Sequence, residues 1–252
     1  MTFDESLAAL ARRSDAELGR EWTFRGVTMD VGYAMYYALE EEQRAVIDGP
    51  HAPTESARIL SLAQSAFGDL RGLIAGLDDD VLDHAPADDQ WSLRETLAHA
   101  IGVERSYRTN TQYSIARGAD ELVLMPVERR PTPDAADTAG GVRDILAHFA
   151  TRRAETDAAF AEVAVADLTR PTIWGGAEVD VRHRLHRFAS HIAEHGYQCE
   201  KAVRALGAYG GDARTIARRI SAMRGLHERR SSPQRLRALD AALEENARIA
   251  RA

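Results

Sequence analysis

Gln90-Trp91-Ser92-Leu93-Arg94-Glu95-Thr96-Leu97-Ala98-His99-Ala100-Ile101 opens a helix with its own punctuation. Ser92 followed three residues later by Glu95 is a capping box: the serine oxygen accepts from the N3 backbone N–H, and the glutamate reaches back to the serine N–H. From there to about Ala116 the periodicity predicts one helix that buries Thr96, Ala100, Val103 and Tyr107, with His99 on the same side and pointing inward. A lone inward histidine is by itself an ordinary core residue.

A second run gives His99 a different meaning. In Ser190-His191-Ile192-Ala193-Glu194-His195 two histidines stand four residues apart, so a helix stacks them on one face. Two imidazoles so placed can grip one ion, and a third from another helix completes an open three-ligand site of the kind zinc or nickel accepts. The candidate metal ligands are therefore His99, His191 and His195. Spacing alone leaves a satisfied core pair as the alternative, because the chain holds nine histidines. Glu194 adds the H-x-x-E-H pattern of inverted zinc peptidases, in which the glutamate is the general base, and is the candidate catalytic residue. That chemistry needs an acidic ligand well downstream, where the paired candidates are Glu244 and Glu245 on a charged terminal helix. Cys199, one turn past His195, reads as a small buried hydrophobe. His183 and His186 precede the pair on the same helix, His186 reads as surface or loop-facing, His51, His84 and His227 read as loop or surface residues, and His148 lies within another helix.

Around these runs helical periodicity recurs, extended alternation is nearly absent and no internal repeat stands out. A weak amphipathic helix covers 4–19, and a second covers 28–47 with Tyr33, Tyr36, Tyr37, Leu39 and Ile47 as packing residues. Asp48-Gly49-Pro50 breaks it. Glu55 to Leu77 carries a buried stripe that includes Ile59, Leu62, Phe67 and Leu70. The polar stretch 118–140, with Pro126, Pro131 and Pro133, reads as a long loop of the functional or mobile kind, and one of its carboxylates is a candidate for orienting a ligand. Helices follow at 142–164 and 183–206, with Pro171–Val181 between them as a short hairpin or extended turn, and then at 212–228 and 233–250. Trp174 and the tyrosines are candidate pocket walls. The organisation expected is all-α: a four-helix core at 55–207 with helical extensions at 1–54 and 208–252.

The stretch Gln90–Ile101 resembles the W-S-x-x-E-x-x-x-H signature of the DinB/YfiT-like superfamily. His191-Ile192-Ala193-Glu194-His195-Gly196-Tyr197-Gln198 is similar to its second signature, an H-x-x-x-H pair with a G/R-x-Q ending. The resemblance covers about 55–207 and implies an up-down-down-up four-helix bundle that holds a divalent metal through His99, His191 and His195. It also implies a metal-dependent enzyme for a small-molecule substrate. The leading form is a transferase or isomerase that activates a low-molecular-weight thiol as cosubstrate. The alternatives are a metal-dependent hydrolase or a non-catalytic metal-binding, stress-related protein that forms a homodimer.

Composition narrows the partners. Apolar residues at 44% and charged residues at 28% describe an ordinary globular chain, and no apolar run reaches membrane-spanning length. The start carries no basic-then-apolar leader pattern, and a single cysteine excludes an internal disulfide, so the expected compartment is cytoplasmic. A net charge of −7 argues against nucleic acid as a partner. The arginines from Arg214 to Arg237 are the local exception and read as a solvated helical face.

Overall fold

A computed structural model describes residues 1–24 and 26–250, and of Phe24 the backbone only. Four long helices form the bundle. They are α4 (Glu55–Ile74), α5 (Leu93–Ala116), α6 (Val142–Phe160) and α8 (Val181–Ala205), arranged up-down-down-up. Each start is set by local chemistry: Thr54 caps α4, the Ser92–Glu95 box caps α5, and Asp180 accepts from the His183 N–H at 2.7 Å to cap α8. The two parallel neighbours α5 and α6 need a long connection, and 117–141 supplies it with two 3₁₀ turns, 127–129 and 135–138. Between α6 and α8 lie a short helix α7 (Val165–Leu168) and the antiparallel hairpin β3 (Pro171–Trp174) with β4 (Ala177–Asp180). The bundle core closes around Phe67, Phe149, Phe160 and Phe188, with the first two rings edge-to-face at 5.1 Å.

The remaining elements are α1 (Phe3–Ala11), α2 (Asp15–Leu18), the hairpin β1 (Glu21–Phe24) with β2 (Val27–Asp30), α3 (Val31–Asp48), α9 (Asp212–His227) and α10 (Pro233–Ile249). They build a second apolar cluster from Phe3, Leu7, Leu10, Met35, Ile216, Ile220 and Leu243. Two N-terminal expectations are corrected. The helix expected at 4–19 is two helices split by Ser14, which caps α2, and the helix expected from 28 starts at Val31 because 27–30 is a strand. Tyr36, Ile47 and Leu62, expected to pack, are exposed at 52%, 75% and 49%. Each lies on the outer side of its helix once that helix is buried from two directions.

The C-terminal arginines are a solvated face only in part: Arg219, Arg229 and Arg237 are exposed, whereas Arg214 and Arg224 are buried and Arg218 is half-buried. α9 runs between the two clusters and packs along α4, so its polar residues are drawn inside and must be paired. Arg214 donates to the carbonyls of Leu73 and Ala75 at 2.6 and 2.9 Å, satisfying the C-terminal end of α4. Arg218 binds Asp69 and Glu200, and Arg224 grips Glu42 through two nitrogens while reaching Asp240 at 2.8 Å. His227 is likewise buried rather than on the surface: its Nε2 meets Glu42 Oε2 at 2.6 Å and its Nδ1 meets the Ser231 hydroxyl at 2.9 Å.

Helices α4 and α9 approach closely because glycines face backbone. A Cβ at Gly225 would lie 2.3 Å from the carbonyl oxygen of Gln64, and one at Gly68 would lie 2.2 Å from that of Ser221. Backbone cannot swing aside as a side chain does, so Gly225→Ala should force the helices apart. The expected cost is about 1–3 kcal/mol, read as a lower midpoint in urea without loss of helical circular dichroism.

Candidate metal centre

His191 and His195 stand on α8 and His99 on α5, and the structure brings all three together. One ring nitrogen from each lies within 4.8 Å of the others, the tightest such group of potential ligands among the described residues. The Nε2 atoms of His191 and His195 are 2.9 Å apart, and the His99 ring centroid is 5.4 and 4.7 Å from theirs. His191 and His195 are buried. His99 is exposed, which corrects the inward placement expected for it. The reason is where the site lies, at a seam between α5 and α8, so that the His99 ring reaches across the opening. Trp91, half-exposed, packs on its other side at 5.2 Å.

The donor set fits a divalent ion. Gln198, one turn along from His195, places Oε1 2.7 Å from its Nδ1. An amide oxygen accepts only, so Nδ1 carries the proton and the Nε2 lone pair of His195 is aimed at His191 Nε2. Burial, then the neighbouring imidazoles of His195 and His99, then Arg187 hold His191 down at about 3, so this ring is a neutral donor throughout the neutral range. Partial desolvation against the pair, then His195, lower His99 as well, with Glu194 opposing. A base held neutral in the fold but free to protonate when unfolded near its ordinary value of about 6.5 lowers stability as pH falls through that value toward 3. Metal-free protein should therefore lose more stability between pH 7 and 5 than His191→Gln does, by about 2 kcal/mol in urea titrations at the two pH values.

Behind the triad, the Tyr107 ring lies 5.5 Å from that of His191, and Trp174 Nε1 donates to the Tyr107 hydroxyl at 3.1 Å. Arg187 stacks over Trp174 at 4.5 Å. The hairpin is thus tied to α5 and α8 through Trp174. Glu194 is on the exposed side of α8, 3.8 Å from Arg187 Nη2 and close enough to act on His99. Cys199 is fully buried, and burial pushes its thiol up to about 12, the behaviour of a core residue. His186, His51 and His84 are exposed as expected, and His183 and His148 are exposed as well. Glu244 binds the N-terminal amine and Glu245 binds Arg248, so neither reaches the triad as the peptidase pattern requires. Asp137, the buried carboxylate of the 118–140 loop, is committed to Arg105 and Arg152.

Gln198 was legible only as the end of a motif; its three-residue offset from His195 was the signal for its role. Tyr107 was read only as a helix-packing residue and one of the tyrosines that could line a pocket, and Arg187 gave no signal beyond standing one turn before His191.

A sequence profile of the DinB superfamily matches residues 63–199, more than half of the chain. The chain belongs to the DinB superfamily. The matched span of this DinB protein takes in α5, α8 as far as Cys199 and all three histidines. Among solved structures it is similar to YfiT from Bacillus subtilis, described as a probable metal-dependent hydrolase with an unusual four-helix bundle topology. The TM-score is 0.50 at 13% identity, over 63% of this chain and 91% of that one, a likeness of fold. The chain matches none of the curated protein sequences. No helix among the described residues is long and apolar enough to cross a membrane.

Proposed function

We propose that this DinB protein binds one divalent metal ion, zinc or nickel, through His99, His191 and His195 and acts as a metal-dependent enzyme on a small molecule. The observation that supports it is the convergence of three imidazoles with Gln198 turning the lone pair of His195 toward the others. An ion held there supplies positive charge that favours the deprotonated form of an oxygen or sulfur nucleophile at neutral pH. The exposed His99 edge leaves the approach open, while Tyr107 and Trp174 close the rear with aromatic surface. Glu194, exposed beside His99, is placed to accept a proton from an incoming nucleophile.

The leading form of this reading is activation of a low-molecular-weight thiol for S-transfer or isomerisation, as the family resemblance implies. Hydrolysis is the second reading, favoured by the likeness to YfiT. Metal analysis of reconstituted protein should return one ion per chain, and the reading fails if no stoichiometric metal is bound. Small thiols added to metal-loaded protein should raise its melting temperature, an effect that His99→Ala removes. Hydrolysis of simple esters or amides that a chelator abolishes, without any thiol effect, would select the second reading.

A further inference from the structure

The segments outside the bundle repeat it. Counting 150 residues forward from α2, β1, β2 and the start of α3 lands on α7, β3, β4 and the start of α8. The correspondence reaches single residues: Leu18 and Leu168, Arg20 and Arg170, Gly26 and Gly176, Asp30 and Asp180, Val31 and Val181. The hairpins share one register, Glu21 opposite Asp30 and Pro171 opposite Asp180. Both aspartates cap the following helix, and in both units the first valine N–H donates to the arginine carbonyl, at 2.9 and 3.1 Å. Upstream, Leu10 and Ala11 of α1 fall on Phe160 and Ala161 at the end of α6.

A second offset relates α4 to α9. Glu55 and Asp212, the first residues of the two helices, are 157 apart, as are Ile59 and Ile216, and Gly68 and Gly225. The buried positions 56, 59, 60, 63, 64, 67, 68 and 70 of α4 are all matched by buried positions of α9 at that offset. Packing follows the same rule. α4 contacts α8 and α6, and α5 contacts α8 and α6; α9 contacts α3 and α1, and α10 contacts α3 and α1.

We infer that the chain holds a second bundle unit, circularly permuted, with its first two helices at the C-terminal end (α9, α10) and its last two at the N-terminal end (α1, α3). The break falls where the complete unit has its 117–141 connection, and the Met1 amine lies 2.7 Å from Glu244 on α10. The second unit carries no metal pair: Glu41 and Ala45 stand where His191 and His195 stand, and α10 has no histidine.

The contact between the units is of the self-complementary kind found between identical subunits, in which residue i meets j and the copy of j meets the copy of i. Gly68 meets Ser221, and Gly225 meets Gln64. From 68 to 225 and from 64 to 221 is the same 157 residues, so the two contacts are one contact seen twice. The partner for the outer face of α4 is therefore this chain's own second unit, and the chain is a pseudo-dimer in one polypeptide.

Two measurements test this, and neither depends on the metal. Light scattering of the full chain should give the mass of one chain; a two-chain mass would overturn the pseudo-dimer. Two circular permutants, each joining residue 252 to residue 1 through a flexible linker of about twenty residues, address the duplication. One opens between Gly49 and Thr54, which puts two whole bundles in tandem. The other opens in the 118–140 loop, which splits the first unit as the second is split now. At least one should refold cooperatively, with a melting temperature within about 10 °C of the parent. If neither does, while the linked chain with its order unchanged outside an equivalent surface-loop insertion folds, the duplication is overturned.

Discussion

Arg153→Ala should destabilise the protein by about 3–5 kcal/mol, the largest effect expected of any single charge in the chain. Arg153 is fully buried at the centre of the bundle, bonded to Glu104 at 2.5 Å and to Asp157 at 2.6 Å, with Gln64 at 3.4 Å. Both carboxylates are themselves buried, so removing the guanidinium leaves two negative charges away from water with no cation between them. Arg229 reaches Asp157 from the rim but not Glu104. Burial already pushes the Asp157 carboxyl above its ordinary value, with Arg153 as the main opposing influence. Loss of the arginine should therefore make at least one of these acids take up a proton on folding, so that the variant recovers stability as pH is lowered. A melting temperature lower by about 10 °C is the expected scale for a chain of this size. Replacing Arg153, Glu104 and Asp157 together by Met, Gln and Asn should recover much of the loss, because the cost lies in the unpaired charge rather than in the missing pair. A fall of less than 1 kcal/mol for Arg153→Ala would mean that water enters the cluster.

His195→Ala should abolish stoichiometric metal binding while leaving the fold in place. The imidazole is buried at the site, and its two nitrogens do different things: Nδ1 holds Gln198 and Nε2 faces His191. Deleting it removes a ligand and also the ring whose tautomer Gln198 sets. Gln198→Ala leaves all three rings, so it isolates the second effect, and a 10–100-fold weaker affinity is expected. Calorimetric titration with zinc and with nickel reads both variants. Equal affinity of Gln198→Ala and wild type would show that the amide has no part in aiming the lone pair.

Much of this was legible beforehand, for reasons that lie in particular residues. The Ser92–Glu95 box and the caps at Thr54 and Asp180 are local chemistry, so helix starts could be read from the chain. The triad was legible because helical geometry converts a four-residue spacing into one face. The exposure of His99 was not legible, since it depends on where two helices part. The arginines of α9 misled for a related reason. Their pattern is that of a surface, and only packing against α4 on one side and α3 on the other turns Arg214 and Arg224 into buried cross-links and Arg218 into a half-buried one. The first hairpin was hidden although its strands are as short as those of the second: Pro171 and the Gly175-Gly176 pair punctuate the second, and Gly26 alone marks the first. The repeat was hidden by its two offsets, 150 and 157, and by the exchange of core types between units. The apolar Phe67, Leu70 and Ile192 of one correspond to Arg224, His227 and Glu42 of the other.

The stretch 118–140, read as a loop of the functional or mobile kind, is strapped down from several directions. Asp137 binds Arg105 and Arg152, Arg94 donates to the carbonyls of Thr138 and Gly140, Tyr113 donates to the carbonyl of Leu122, and Met125 is buried. A segment held this way belongs to the slow-exchanging part of a protein, so its amides at 134–140 should resist deuterium for longer than those of an ordinary loop of its length. Limited proteolysis should spare 134–140 for the same reason.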